Sequence, residues 1–247
     1  MADNYSTFAD LYDSLFDLDL YEEWASFVKE RSTASPMIDL AGGSGRLGVL
    51  LSQSGYQVTL IDLSEQMLGL ASKHAIENEV HLDLIQADMT ADWGIPDQFP
   101  LITSFADSLN YLVNKQQFAR ALAQVFRHLS SGGRFLFDVI TPYQVNVHYD
   151  NFMYNNDDDP EKIFMWSSFP GDEKNSVDHD LKFFIYDERL DAFKLVREVH
   201  HEQAFPLTDY TQMLKQAGFV NIQISADFGR QPVGPDTTRA FFSAEKA

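Results

Sequence analysis

The chain has 247 residues, 45% of them hydrophobic and 13% aromatic, enough to bury a substantial core in one domain or in one domain with an elaboration. Its 18 basic residues are scattered among 37 acidic ones, for a formal charge of −19, and such a field opposes phosphate backbones and anionic membrane surfaces. The absence of cysteine excludes disulfides, thiolate metal sites and a cysteine nucleophile.

The first residues, MADNYSTFADLYD, carry acids where a signal peptide needs a basic start, and no run approaches ~20 apolar residues. A cytoplasmic protein that binds neither nucleic acid nor membrane is expected. Phe8, Tyr12 and Leu15 recur at helical spacing near the start. After Pro36 the chain alternates strand and helix, the pattern of a parallel sheet covered by helices. A strand over Met37 to Ala41 runs into a glycine turn and a helix from Arg46 to Ser54, closed by Gly55. A strand over Tyr56 to Ile61 follows, then Ser64 as N-cap of a helix reaching Asn78. Val80 to Gln86 and Leu101 to Phe105 read as further strands. Phe118, Leu122, Val125 or Phe126, and Leu129 define a helix that Asn114 and Gln117 open as a capping box and Gly132 and Gly133 stop. Arg134 to Ile140 is a nearly continuous apolar strand, as a buried central strand should be.

From Thr141 the pattern changes. Residues 141–203 hold an acidic loop, Asp157 to Pro160, and three strand-like runs, Ile163 to Phe169, Leu181 to Tyr186 and Phe193 to Phe205. They predict an antiparallel ribbon inserted over the sheet edge as a lid, substrate or dimerisation subdomain, between a main domain of 1–140 and 204–247. A helix from Thr208 to Ala217, with Gly218 as its stop, and strands Val220 to Ser225 and Thr238 to Ala244 complete that domain. The connection over Gly229 to Pro235 is too short for a crossover helix, so the last two strands are expected to pair antiparallel.

The chemistry concentrates in MIDLAGGSGRLG, Met37 to Gly48. A hydrophobic strand, a glycine turn and a helix are expected to present free backbone N–H groups beside a surface that no side chain crowds. Gly43, Gly45 and Gly48 also spell GxGxxG, which admits a dinucleotide as readily as another nucleotide-bearing cofactor, or a plain packing turn. Asp62 ends the next strand, where a carboxylate can accept from both hydroxyls of a ribose diol.

Four ordered motifs resemble the class I S-adenosylmethionine-dependent methyltransferases. They are DLAGGSG, Asp39 to Gly45; DLSxxML, carried by Asp62, Leu63, Ser64, Met67 and Leu68; QADM, Gln86 to Met89; and FADSLNYL, Phe105 to Leu112. Gly42 departs from the family, where many members carry a larger residue. The resemblance implies an α/β, Rossmann-like seven-stranded sheet of order 3-2-1-4-5-7-6, last strand antiparallel, with helices on both faces and an antiparallel β insertion. It also implies S-adenosylmethionine as cofactor, with the turn backbone from Gly42 through Gly43 and Ser44 to Gly45 along its methionine part and Asp39 near the ammonium, directly or through water. Asp62 would hold the ribose, Leu63 and Met67 the adenine face, Asp88 and the Met89 backbone the adenine edge, and Phe105 the pocket wall. Arg46 would either approach the cofactor carboxylate or face solvent.

A sulfonium cation suits a pocket rimmed by carboxylates and aromatic faces. In-line displacement onto a nitrogen or oxygen atom of a small molecule is the expected reaction, accelerated chiefly by alignment. Asn110 and Tyr111, after the fourth strand, are candidates to orient that acceptor. Tyr12 resembles the residue at the cofactor's edge in relatives that begin alike. His200 is a candidate base, alongside His148 and His201. His200 and His201 alternate faces of a strand and do not chelate together, so no metal is expected. An NAD-linked oxidoreductase, a cofactor-binding module without turnover, and a homodimer remain open at this stage.

Overall fold

The computed structural model describes residues 18–33 and 35–247; Tyr5, Phe8, Tyr12 and Asp13 lie outside them. Helix α1, Leu18–Arg31, buries Trp24, Ala25, Phe27 and Val28 on one face, with Asp19 in its first turn and Lys29 and Arg31 in its last. Strand β1, Met37–Leu40, is buried throughout and lies parallel to β2, Val58–Asp62, on one side and β4, Phe99–Ser104, on the other. Helix α2, Arg46–Gln53, connects β1 to β2. Helix α3, Glu65–Glu77, connects β2 to β3, Leu82–Gln86, and Ser64 caps α3 by accepting the Met67 N–H.

Helix α4, Lys115–His128, leads directly into β5, Leu129–Ile140; α5, Leu207–Gln216, precedes β10, Phe219–Ser225, and β11, Arg239–Lys246, ends the sheet. The strand order is β3-β2-β1-β4-β5-β11-β10, with β11 antiparallel to both neighbours, the arrangement that the sequence motifs imply. Two apolar layers cover it. Phe118, Leu122 and Val125 of α4 join Tyr210 and Leu214 of α5 on one face, while Trp24 and Phe27 of α1 join Leu47 and Leu51 of α2 on the other. The doubly covered strands are therefore apolar on both sides, which is why they read as continuous hydrophobic runs.

Several local expectations are corrected. Gly132 and Gly133 do not stop α4, because β5 begins at Leu129 and both glycines lie within it. The register between β4 and β5 shifts there, and Gly132 takes a positive φ of 73°, so the glycines accommodate an irregular strand entry. The capping box is rearranged too: Asn114 accepts the Gln117 N–H, but Gln117 accepts from the N–H of Val113 rather than of Asn114.

The inserted segment has four strands where three are expected. They are β6, Met153–Asp159, β7, Lys162–Pro170, β8, Ser176–Asp187, and β9, Ala192–Gln203, paired antiparallel in chain order as a separate sheet. Asp157 to Asp159, expected in a loop, belong to β6. Phe164, Leu181, Phe183 and Val196 form a small core of this sheet. No helix among the described residues is long and apolar enough to cross a membrane.

Asn110, put forward as a substrate-orienting group, is instead the fastener between the two sheets. It lies fully buried in the 3-10 turn Ser108–Tyr111 after β4. Its Nδ2 donates to the carbonyls of Ile140, at 3.3 Å, and Gln203, at 3.0 Å, and to the Tyr210 hydroxyl at 3.4 Å. Its Oδ1 accepts the Ile140 N–H at 3.0 Å. The side chain thus ties the end of β5 to the end of β9, with its hydrogen-bonding capacity consumed by protein. Asn110→Ala is expected to lower the unfolding free energy by about 2–4 kcal/mol in urea titration, because several buried groups lose partners together. A change within experimental error contradicts this role.

Candidate functional site

The carboxyl ends of parallel strands form a natural crevice where chain direction across the sheet reverses, and here that point lies between β1 and β4. Asp39, on β1, is 2% exposed. One carboxylate oxygen accepts the Thr103 hydroxyl at 2.8 Å, and the other, Oδ2, has no hydrogen-bond partner although Asp39 lines the cleft. Burial, against the Thr103 hydrogen bond and with the added repulsion of Asp62, pushes the Asp39 carboxyl up to about 7. Asp62, at the end of β2, accepts the Ser64 N–H at 2.9 Å on one oxygen and the Gly43 N–H at 2.8 Å on the other. Burial raises its pKa too, while the N–H groups of Ser64, Gly43 and Leu63 pull it back.

The glycine turn is shaped by what it touches. A Cβ on Gly42 would stand 2.7 Å from the Leu60 side chain and 2.9 Å from Asp39 Oδ2. A Cβ on Gly45 would stand 2.7 Å from the Ala71 Cβ, at a φ of +76°. The expected row of free N–H groups is not there. Gly42 donates to the Ile61 carbonyl, Gly43 to Asp62 and Gly45 to the Gly42 carbonyl. His74, on α3, holds the Ser44 carbonyl through Nδ1 at 2.9 Å. The turn therefore offers two carboxylates and a bare backbone surface, which suits a cation and opposes the diphosphate of a dinucleotide.

The cleft over this turn has a volume of about 400 Å³, within the range of small-molecule sites. Asp39, Gly42, Gly43, Asp62, Leu63, Met67, Met89, Phe105, Tyr111 and His200, all predicted from the sequence, line it together. Gly45 and Asp88 stand outside the lining: Gly45 packs on α3, and Asp88 is exposed, with Oδ1 accepting the Thr90 N–H at 2.7 Å. Asn110 is likewise outside, for the reason given above. Sequence reasoning missed Tyr21 and Trp24 of α1, Leu47, Gln66 and Glu198, while Ser44 lines the cleft as part of the predicted turn.

Trp24 is set by long-range bonds that no local pattern announces. Its Nε1 donates to Asp138 Oδ2 at 2.8 Å, and its ring stacks on Phe105 with centroids 6.4 Å apart. Asp138 is fully buried, accepts the Asp107 N–H, and shares Arg239 with the Asp107 carboxylate. Burial raises the Asp138 pKa, opposed first by the Arg239 guanidinium. A second cavity of about 620 Å³ lies beyond Trp24, between α1 and residues 226–239.

At the mouth of the cleft the inserted sheet meets the main one. The Tyr111 hydroxyl lies 2.7 Å from His200 Nδ1, and His200 Nε2 lies 3.0 Å from Glu198 Oε2. Glu198 and His200 are two positions apart on β9 and so face the same way. That alternation puts Glu198 on the His200 face and is the signal that sequence reasoning left unused. His201 faces away, where Nδ1 meets Asp178 at 2.6 Å. Among the described residues, no group of three or more His, Cys, Asp or Glu is placed to hold a metal.

These residues fit the cofactor that the sequence motifs imply. The unpartnered Asp39 oxygen matches an ammonium, the Asp62 carboxylate keeps lone pairs for hydroxyls, and Gly42 leaves clear the space beside Asp39 Oδ2 that a Cβ would enter.

Comparisons with known proteins agree. Residues 37–133 match the family described as Methyltransferase domain. The chain is 33% identical over 250 residues to the Geobacillus sp. (strain WCH70) protein named "Putative methyltransferase", covering 98% of this chain and 99% of that one. It is 33% identical over 245 residues to "Putative methyltransferase YqeM" of Bacillus subtilis (strain 168), covering 98% and 97%. An S-adenosylmethionine-dependent methyltransferase from Clostridium acetobutylicum ATCC 824, known as a crystal structure, superposes with a TM-score of 0.85 at 27% identity, over 98% of this chain and 99% of that one.

The turn makes a graded prediction. Gly43→Ala meets nothing within 4 Å and bears only the left-handed backbone, φ +55°, so it should cost about 1–2 kcal/mol of stability. Gly45→Ala adds the collision with Ala71 and should cost clearly more in the same denaturant titration; equal losses contradict the packing argument.

Proposed function

The chain belongs to the class I S-adenosylmethionine-dependent methyltransferase family, and on that premise we propose that it moves the cofactor's methyl group to a nitrogen or oxygen atom of a small molecule by in-line displacement. The observation that carries the reading is the pair of carboxylates, Asp39 and Asp62, at the ends of adjacent strands in one cleft that opens toward Tyr111 and His200. When bound, the cofactor supplies an electrophilic methyl group on a cationic sulfur.

The chain's own residues bind and orient. Asp39 Oδ2 receives the ammonium, the Gly42 and Gly43 backbone carries the methionine portion, and Asp62 accepts from the ribose hydroxyls. Leu63, Met67 and Met89 cover the adenine, with Asp88 shaping the turn after β3. Phe105 and Trp24 form the aromatic wall that shields the sulfur from water and favours its charge. Tyr111 and His200 border the open side, where the acceptor docks under the inserted sheet. The cofactor-facing walls are rigid strand ends, so alignment of nucleophile, methyl carbon and leaving sulfur can supply much of the rate. Acidity across the chain supports a small-molecule acceptor over a nucleic acid.

Isothermal titration with S-adenosylhomocysteine is expected to show one site per chain, and Asp62→Ala to weaken it by about 1.5–3 kcal/mol through loss of charge-assisted hydrogen bonds. Binding of NAD with no response to S-adenosylhomocysteine contradicts the reading. Affinity should also depend on pH in a defined direction. Below about 7 the Asp39 carboxyl is protonated and gives the ammonium no counter-charge; above it the carboxylate is present. Affinity is thus expected to tighten from pH 6 to pH 8, and Asp39→Asn to weaken binding and flatten that slope. An unchanged slope in the variant removes Asp39 from the ammonium site.

A further inference from the structure

Resting on the transferase reading, we propose that Tyr111, His200 and Glu198 form a proton relay for an acceptor that arrives as an alkylammonium ion, with Tyr111 in contact with the substrate. The direction of the relay follows from hydrogen-bond chemistry. An ionised carboxylate only accepts, so the 3.0 Å contact with Glu198 requires the proton on His200 Nε2. When His200 carries no second proton, its Nδ1 presents a lone pair to which the Tyr111 hydroxyl, 2.7 Å away, donates. The order is acid-accepting phenol, then imidazole, then carboxylate. It is assembled from two parts of the fold, since Tyr111 follows β4 while His200 and Glu198 stand on β9 of the inserted sheet.

The position suits the task. All three residues line the same cleft as Asp39 and Asp62, and Tyr111 is 40% exposed, within reach of a docked molecule. Among the described residues the lining holds three carboxylates, Asp39, Asp62 and Glu198, and no Lys or Arg; with Asp39 and Asp62 given to the cofactor, Glu198 faces the acceptor side. A cationic acceptor is attracted there and an anionic one repelled. An alkylammonium ion has no lone pair to attack with, so it must lose a proton first. Alkylamines and phenols have ordinary pKa values of about 10 and imidazole about 6.5, so passing the ammonium proton through the phenol to the imidazole is uphill, and loss of the imidazolium proton to solvent at pH 7 completes it.

In the step, the ammonium proton passes to the Tyr111 oxygen as the Tyr111 proton passes to His200 Nδ1. The freed nitrogen lone pair then forms the bond to the methyl carbon, and the electron pair of the breaking carbon–sulfur bond stays on sulfur. The His200 imidazolium, facing the Glu198 carboxylate, returns its proton to solvent. Tyr111 is the catalytic residue; His200 and Glu198 are positioning residues that act through it.

The test uses methyl-tritiated S-adenosylmethionine, the full chain and a fractionated bacterial metabolite extract. Label is expected in molecules retained by a cation exchanger at pH 7. With that fraction as substrate, Tyr111→Phe should lower the transfer rate by about 100-fold and His200→Ala by at least 10-fold. S-adenosylhomocysteine affinity, measured in parallel as the check on folding, should stay within about twofold of wild type, since neither side chain holds the cofactor. Imidazole in the buffer should restore part of the His200→Ala rate without changing that affinity, which a structural role would not produce. Label only in neutral or anionic molecules, or variants that keep the wild-type rate, overturns the relay. Failure of wild type to label any molecule overturns the transferase reading beneath it.

Discussion

The site depends on the Asp62 carboxylate holding two backbone N–H groups at once. Through Gly43 it pins the turn that leaves β1, and through Ser64 it pins the start of α3. Those two bonds join the turn after β1 to the end of β2, and the Thr103 hydroxyl holds the Asp39 carboxyl beside them. Its second oxygen stays buried without a partner, an arrangement that costs folding free energy and is retained where a ligand repairs it. Asp62 takes the Gly43 N–H, and the Ile61 and Gly42 carbonyls take those of Gly42 and Gly45, so these N–H groups do not greet a phosphate. A motif that spells a dinucleotide loop is thereby converted into a receptor for positive charge.

The inserted sheet is tied to this frame by buried polar fasteners. Asn110 joins the ends of β5 and β9, and Arg239 on β11 reaches Asp138 on β5 and Asp107 after β4. Asp138 in turn holds Trp24 of α1 against Phe105. Every wall of the cleft is thus linked to the end of a sheet strand. A buried network of this kind favours one relative placement, because a slip leaves several groups unpartnered together. The placement brings Glu198 and His200 to Tyr111.

Much of this was legible in the residues. The buried parallel strands announce themselves as apolar runs, Ser64 and Asn114 as caps, and Asp62 by its place after the second strand. The sheet order came through the resemblance rather than through periodicity. What could not be read locally was set by distant partners. β6, with Asn155, Asn156 and Asp157 among its residues, has no apolar face of its own and is a strand only because β7 pairs with it. Asn110 looked like a site residue because nothing nearby in sequence reveals Ile140, Gln203 and Tyr210 as its partners. Trp24 gave no sign of facing the cleft, since its bond to Asp138 spans 114 positions of the chain. Glu198 was within reach of the alternation argument, yet without the β9 register its face could not be matched to Tyr111.

A crystal structure of the protein grown with S-adenosylhomocysteine tests the central claim, that two strand-end carboxylates receive this cofactor, most directly. The account predicts the amino nitrogen within hydrogen-bond distance of Asp39 Oδ2 and the ribose hydroxyls on the Asp62 carboxylate. A nucleoside seated instead in the cavity between α1 and residues 226–239, or an Asp39 Oδ2 that faces no cofactor atom, would contradict it.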